Sequence, residues 1–463
     1  MPANVLLVVF DTARADAFEP YGAPPGTTPV VADLARRGVA FPRAIATSNW
    51  TAPSHASMFT GLLPRAFGLA GGVPDRAAYR DRFFGLFGTH RTRVLAEVFR
   101  EQGYATLGVS ANAGWITPAF GFDTGFERFT VVHGDRRRDV GRLGAKVQWW
   151  RSRVDDGAAA AAAALREALT ARDGRPFFAF VNLMECHSPY LPPRPYSGLG
   201  PVARWRAVEE SMRYLSNRAE SLRVNAGEVR LEPDTFSRWR RQYAAAVRMV
   251  DDWLGRTLEA LDRDGVLQDT VVVVTSDHGE NLGEGGRIGH ELSMDQRLLA
   301  VPLVVAGGAP PAAPAVTSLA ALPHVIAASA GLGDHPWADV PIEAGVAVAQ
   351  NEGLGIDTGP GSVASAHGFP AEALRRMSFD ASAATDGRFT LHRGGGLPEA
   401  LRDLHADPLE EHDAAGAHPE AAARLRGELD RADAALPATA RPEGLAPTEE
   451  ADIERHLEAL GYL

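Results

Sequence analysis

Val271-Val-Val-Val274, flanked by Thr270 and Thr275, constrains the fold more than any other stretch of the chain. An unbroken β-branched run has no polar face. It suits a strand covered on both sides, not one that alternates between core and water. Val5-Leu-Leu-Val-Val-Phe10 has the same texture. Strands of this kind belong to parallel sheets packed between helices.

The segments between such strands read as helices. Thr28-Pro29 opens one that closes at Gly38, with proline in the first turn. Arg93 to Gln102 carries Val94, Leu95, Val98 and Phe99, and Gly103 stops it before a strand over Ala105 to Val109. Leu165 and Leu169 mark a helix ahead of the strand Phe177 to Leu183. From Phe236 to Asp264, Tyr243, Val247, Val250, Leu254, Leu258 and Leu261 draw one apolar stripe that ends at Gly265. Leu299 to Ala306 reads as a further strand. The expected fold is a three-layer α/β/α sandwich with a mostly parallel sheet.

After Gly307 the pattern changes. Ala309 to Pro314 is rich in proline and alanine, a helix is expected over Leu319 to Ala330, and Val346 to Gln350 and Arg388 to His392 read as short strands. We divide the chain into a main α/β domain over 1–340, a small α+β subdomain over 341–435, and a linker with a terminal helix over 436–463.

Composition excludes several classes. Hydrophobic residues make up 45% and charged residues 23% of 463, so a large core can form. Acidic residues outnumber basic ones 58 to 47, and a net charge of −11 disfavours non-specific nucleic-acid binding. The single cysteine, Cys186, allows no intrachain disulfide. Val5 to Phe10 is too short for a signal peptide or a membrane span, and no later run reaches about 18 apolar residues. The expectation is a soluble cytoplasmic protein.

In open parallel sheets, ligands bind beyond the carboxyl ends of the strands. Asp11 directly follows the first buried strand, and Asp277-His278 follow the valine strand. Two carboxylates and an imidazole there could share one metal ion. Alone, Asp11 would read as a helix cap, but an Asp-His-Gly turn after a buried strand suits a cation. Asn49-Trp-Thr-Ala-Pro-Ser-His55 puts Thr51 at the start of a helix, where free amides and the dipole favour an anion. Its hydroxyl could be a metal-bound nucleophile or an ordinary N-cap.

Together these segments resemble the sulfatase family of the alkaline phosphatase superfamily. The resemblance begins with Asn4 to Asp11 and continues through Thr28-Pro29 to Gly38. It takes in Thr51-Ala-Pro-Ser-His55 with Phe59-Thr-Gly61, then His187-Ser-Pro-Tyr190 and Ser276-Asp-His-Gly279, and closes with Asp403-Leu-His-Ala-Asp-Pro-Leu-Glu410. The matches occur in the family's order. The resemblance implies a metal-dependent ester hydrolase with Asp11, Thr51, Asp277 and His278 at one divalent ion. It places Thr51, His55, His187 and His290 in catalysis.

The chain departs from the family's pattern at three places. Thr51 stands where the family has a cysteine or serine that becomes formylglycine. His55 replaces the usual arginine, and Thr12 replaces the second of two acidic residues after the first strand. Asp16 is read as structural. A formylglycine hydrate can release sulfate by collapsing to the aldehyde, whereas a threonine sulfate ester has no such route. A threonine phosphate ester can be hydrolysed by in-line attack of water. The expected substrates shift towards phosphate esters, phosphodiesters and phosphonates, with sulfate esters as the family's own. His278 favours manganese or zinc over calcium, which prefers an all-oxygen shell.

His290 is expected to bind the anion or protonate the leaving group, and His187 to contact the substrate. Arg136-Arg-Arg138 to Arg153, with Trp149-Trp150, is either a cover that recruits anions or a solvated helix anchored by its tryptophans. Arg238-Trp-Arg-Arg241 reads as a solvent face. The expected partner is a small anionic ester, with no nucleic acid and no membrane span; a homo-oligomer is left open. A phospho-group transferase of the same superfamily and a non-catalytic anion-binding relative are the alternatives. Retention of Asp11, Asp277 and His278 together argues against the last. Mass spectrometry of the peptide containing Thr51 is expected to show unmodified threonine; an aldehyde there would overturn this chemistry.

Overall fold

The computed structural model describes residues 3–67, 93–133, 141–151, 155–290, 293–340, 342, 345–352, 380–394 and 397–434. Its main sheet has seven strands: β1 (Asn4–Phe10), β2 (Val39–Ala40), β3 (Ala105–Ser110), β4 (Arg128–Val131), β5 (Phe177–Leu183), β6 (Thr270–Thr275) and β7 (Leu303–Ala306). They lie in the order β2-β7-β6-β1-β5-β3-β4. The five strands from β6 to β4 are parallel, and β7 and β2 close one edge antiparallel. Every residue of β5 and β6 is buried, as the unbroken apolar runs require.

Alternate residues of β1 serve two cores. Val5, Leu7 and Val9 face one, with α2 (Thr51–Thr60), α3 (Leu95–Glu101) and α6 (Leu322–Ser329). Leu6, Val8 and Phe10 face the other, with α1 (Pro29–Arg37), α4 (Ala158–Thr170) and α5 (Pro233–Arg263). Helices therefore cover both sides of the sheet, the three-layer α/β/α arrangement expected. Tyr243, Val247, Val250, Leu254 and Leu261 of the α5 stripe are buried, and Leu258 is partly so.

Two expectations need correction. Leu299 to Ala306 is not one strand. A short helix covers Gln296–Leu299, Ala300–Val301 pairs with Ala44–Ile45, and β7 begins only after Pro302. Proline has no N–H to continue a ladder, so the chain changes sheets there. Arg238-Trp-Arg-Arg241 is only partly a solvent face. Trp239 is fully buried and Arg238 pairs with Glu210, while Arg240 and Arg241 are exposed.

The C-terminal part is a four-stranded antiparallel meander: β8 (Ala347–Glu352), β9 (Asp380–Thr385), β10 (Phe389–Gly394) and β11 (Leu397–Asp403). Helix α7 (Pro419–Asp433) packs Ala422, Leu425 and Leu429 against it. The Glu410 carboxylate accepts from the Gln296 amide at 3.3 Å, tying this part to the segment after the valine strand. The expected linker and terminal helix over 436–463, and Arg136 to Arg138, lie outside the described residues. Trp149 and Trp150 are half-buried on a helix whose carbonyls accept from Arg204, and Trp150 Nε1 donates to the Pro201 carbonyl. Among the described residues, no helix is long and apolar enough to cross a membrane.

Gly38 lies where α1 gives way to β2. A Cβ there would come within 2.1 Å of the Val305 carbonyl oxygen, which cannot move without disturbing β7. Gly38→Ala is expected to lower stability by about 1–3 kcal/mol, as overpacking does. Gly333, with open space around it, is the control, and Gly333→Ala should stay within about 0.5 kcal/mol. Urea unfolding of both variants checks this.

Candidate metal and catalytic centre

Strand register builds the centre. In the parallel pair, Val9 of β1 lies beside Thr275 of β6, so Asp11 and Asp277, each two residues on, emerge side by side. Ligand atoms of Asp11, Asp277 and His278 all lie within 4.8 Å of one another, and all three residues are fully buried. The backbone turns sharply just past β1. Thr12 has φ 60°, strained for a β-branched residue. That turn aims the Thr12 amide at Asp277 Oδ1, 3.1 Å away, and the His278 amide reaches the same oxygen at 2.9 Å. The turn after β6 is equally tight. The Gly279 amide donates to the Leu298 carbonyl at 2.7 Å, and a Cβ on Gly279 would fall 2.0 Å from the Arg297 carbonyl oxygen.

Each ligand is held from behind. Asn112 Nδ2 donates to Asp11 Oδ2 at 2.9 Å. His278 Nδ1 donates to the Gly279 carbonyl at 2.9 Å, which leaves Nε2 as the lone-pair nitrogen. Thr51, the first residue of α2, places Oγ1 3.3 Å from His278 Nε2. Ser54 of the same helix donates to the Asp277 carbonyl at 2.6 Å, pinning the helix start to the turn. His55 lies behind the carboxylate. Its Nδ1 reaches the Thr51 carbonyl at 3.0 Å and Asp277 Oδ2 at 3.4 Å, and its Nε2 accepts from Asn182 at 3.3 Å. Phe59, Phe122 and Phe180 surround its ring edge-on.

The other two histidines stand on the same side. The His290 ring is 4.6 Å from the His278 ring and 5.1 Å from the His187 ring, centroid to centroid. His290 Nδ1 donates to Glu280 Oε1 at 2.9 Å, with both side chains buried. His187 Nδ1 donates to the Ser188 carbonyl at 2.7 Å. Asp16 sits outside this group, exposed and paired with Arg14 at 2.6 Å.

Electrostatics set the chemistry. Burial, then the neighbouring Asp277, pushes the Asp11 carboxyl up to about 6. Burial also raises Asp277 and pushes His278 down to about 3, so its imidazole is neutral. His290 is held well below its ordinary range by burial and by His187. Burial pushes Glu280 up to about 7. Asp11 Oδ1 and Asp277 Oδ2 are buried without a hydrogen-bond partner. Two such oxygens beside a neutral imidazole nitrogen are the donor set a divalent cation takes. The residues fit a metal.

Comparison with known proteins agrees with this geometry. The sulfatase family model matches residues 3–332. The chain belongs to the sulfatase family. With it comes the alkaline phosphatase superfamily of ester hydrolases. A multifunctional alkaline phosphatase superfamily protein of Trinickia caryophylli is 24% identical over 65% of this chain and 68% of its own length. A choline-sulfatase of Rhizobium meliloti is 25% identical over 88% of this chain and 81% of its own. The phosphonate monoester hydrolase structure from Agrobacterium radiobacter superposes with a TM-score of 0.65 at 21% identity, covering 93% of this chain and 95% of that one, and shares the fold.

Within this sulfatase-family centre, the motifs reveal Asp11, Thr51, Asp277 and His278 but not Asn112, Asn182 or Glu280. Asn112 follows the end of β3 and Glu280 follows Asp-His-Gly, so a polar residue just past a buried strand was the available signal. Asn182 had none. For Asp11 the sign of the pH effect is fixed. A carboxyl raised in the folded state gives its full stability below pH about 4 and loses it as pH rises through about 6. A shift of this size corresponds to on the order of 3 kcal/mol at neutral pH. In chelator at pH 7, Asp11→Asn should therefore raise Tm by ~2–5 °C, while losing the rise that manganese gives the parent. A lower Tm with metal stabilisation intact would sink this account.

Proposed function

We propose that the chain hydrolyses phosphoric or phosphonic esters, small and anionic, through a covalent intermediate on Thr51. The observation that carries this reading is a threonine hydroxyl 3.3 Å from His278 Nε2 at the first turn of a buried helix. Threonine cannot become formylglycine, so release of a sulfate ester by aldehyde formation is closed to it. A phosphothreonine stays open to attack by water.

Asp11, Asp277 and His278 would hold the cation, with manganese or zinc favoured by the imidazole. When bound, a divalent ion there supplies charge for the transferred group's oxygens and acidifies a nearby hydroxyl. The free amides and dipole of α2 face the anion from the other side. His290 enters neutral, its Nδ1–H fixed on Glu280. Thr51 loses its proton to water as the Oγ1–P bond forms, and at the opposite apex the departing oxygen takes a proton from a water held by His290 as its O–P bond breaks. In the second half His290 takes a proton from the water that attacks phosphorus where the alcohol left, and Thr51 regains a proton from solvent as the Oγ1–P bond breaks. The buried Glu280 carboxylate opposes the positive charge that His290 then carries. His187, beside His290, contacts the substrate. His55 orients the first turn of α2.

The decisive comparison is one alcohol as its phosphodiester and as its sulfate ester, assayed on the manganese-loaded chain. Thr51→Ala should keep metal content and lower turnover of the phosphodiester by about 10³-fold or more; Thr51→Ser should keep part of it. Acid quench of the parent should trap phosphate on the Thr51 peptide. Undiminished turnover by Thr51→Ala would mean that water attacks directly. A parent that prefers the sulfate ester, as the choline-sulfatase relative's name implies for that protein, would replace the phosphorus reading.

A further inference from the structure

The turn that leaves β1 is gripped at every backbone amide from Asp11 to Arg14. Asp11 donates to the Leu183 carbonyl at 2.8 Å, Thr12 to Asp277 Oδ1 at 3.1 Å, and Ala13 to Ser276 Oγ at 2.8 Å. Those three partners belong to β5 or to the turn after β6, so they hold the chain from within the sheet. The fourth belongs to a helix. The Arg14 amide donates to Tyr243 Oη at 2.8 Å, and the same hydroxyl donates to the Thr12 carbonyl at 2.7 Å.

A phenol both donates and accepts, and Tyr243 uses both functions on this one turn. It opens the apolar stripe of α5 and is buried, with its ring edge-on to Tyr190 at 5.5 Å. Its bond to the Thr12 carbonyl has a specific effect on the backbone. Thr12 has φ 60°, which a β-branched residue avoids. Rotation about φ turns the amide and the carbonyl of one residue relative to each other. With the amide on Asp277 and the carbonyl on Tyr243, Thr12 cannot relax to negative φ without breaking one of the two bonds. If the carbonyl were released, the strain could discharge by swinging the amide off Asp277.

We infer that Tyr243 is a positioning residue for the metal centre: from the helical layer, its hydroxyl locks the left-handed turn at Thr12 and so holds Asp11 and Asp277 in place for one divalent cation. That role depends on Asp11, Asp277 and His278 as the cation's ligands and on no step at Thr51. Without the hydroxyl, the Thr12 carbonyl and the Arg14 amide lose a partner in a dry interior, and Asp277 Oδ1 is left with the His278 amide as its remaining backbone donor. The loss falls on cation binding because groups behind a ligand fix its orientation, and removing one weakens the metal by about 10- to 100-fold.

Calorimetric titration of the full chain with manganese, after removal of bound metal by chelator, tests this without any substrate. Tyr243→Phe should bind manganese about 10-fold or more weakly than the parent. Tyr21→Phe is the matched control. Its hydroxyl likewise donates to one carbonyl and accepts from one amide, both of Leu303, at 2.8 and 2.9 Å, on a strand two places from β1. It should lose stability in urea yet keep the parent's affinity for manganese. Glycine takes φ 60° without strain, so Thr12→Gly added to Tyr243→Phe should restore affinity to within about 3-fold of the parent. Should Tyr243→Phe alone fail to fold, this double variant is read in its place. Unchanged affinity in Tyr243→Phe, an equal loss in Tyr21→Phe, or a double variant that stays weak or unfolded overturns the inference. A parent that binds no manganese overturns the centre itself, a result distinct from failure of Tyr243.

Discussion

Two carboxylates fixed side by side in a dry interior are the constraint on which the rest of the centre depends. The β1–β6 register leaves Asp11 and Asp277 no freedom to separate, and burial raises both. Amides, Asn112 and Ser54 absorb part of this cost by donating to the carboxylates and to the turn behind them. They leave one oxygen of each acid unsatisfied. A buried pair of that kind persists where a cation completes it. The strain at Thr12 belongs to the same arrangement: without the left-handed turn its amide would not face Asp277.

Much of this was legible in the sequence because the physics is local. Val271 to Val274 can only be a covered strand, and a polar residue straight after such a strand must emerge at the sheet's carboxyl edge. That logic finds Asp11, Asp277 and His278. The start of α2 was legible through Pro53 and the small polar residues around it, which brings Thr51 into reach. What stayed hidden depends on distant segments meeting. Glu280 shows its part only when His290, ten residues on, folds back onto it. Asn182 reads as an interruption in an apolar strand until His55 arrives from α2. Pro302 splits what composition presents as one strand. β9 and β11, with alanine and charged residues in place of β-branched ones, carry too little apolar pattern to be seen before they pair.

His55 stands in surroundings that suit a neutral ring. A flexible cation would have to enter the site from its shell. An imidazole enclosed by Phe59, Phe122 and Phe180 instead donates to the Thr51 carbonyl and stands 3.4 Å from Asp277 Oδ2 without a hydrogen bond to it. Burial lowers its pKa, so it does this as a neutral ring. The charge that the family's arginine would contribute is thereby absent from the side of the centre where Thr51 stands.

The Gly279–Leu298 hydrogen bond closes the base of the excursion that leaves β6 and returns towards β7. The described residues between them lie beyond a cinched neck, with His278 just before it and His290 within the excursion. Evolution can therefore treat the two histidines as separate modules. Lengthening or shortening the glycine-rich tip at Gly283 to Gly286 would re-aim His290, while Asp11, Asp277 and His278, outside the neck, keep their places. A lineage built on this scaffold can hold Asp11, Asp277 and His278 in place while the loop that carries His290 changes.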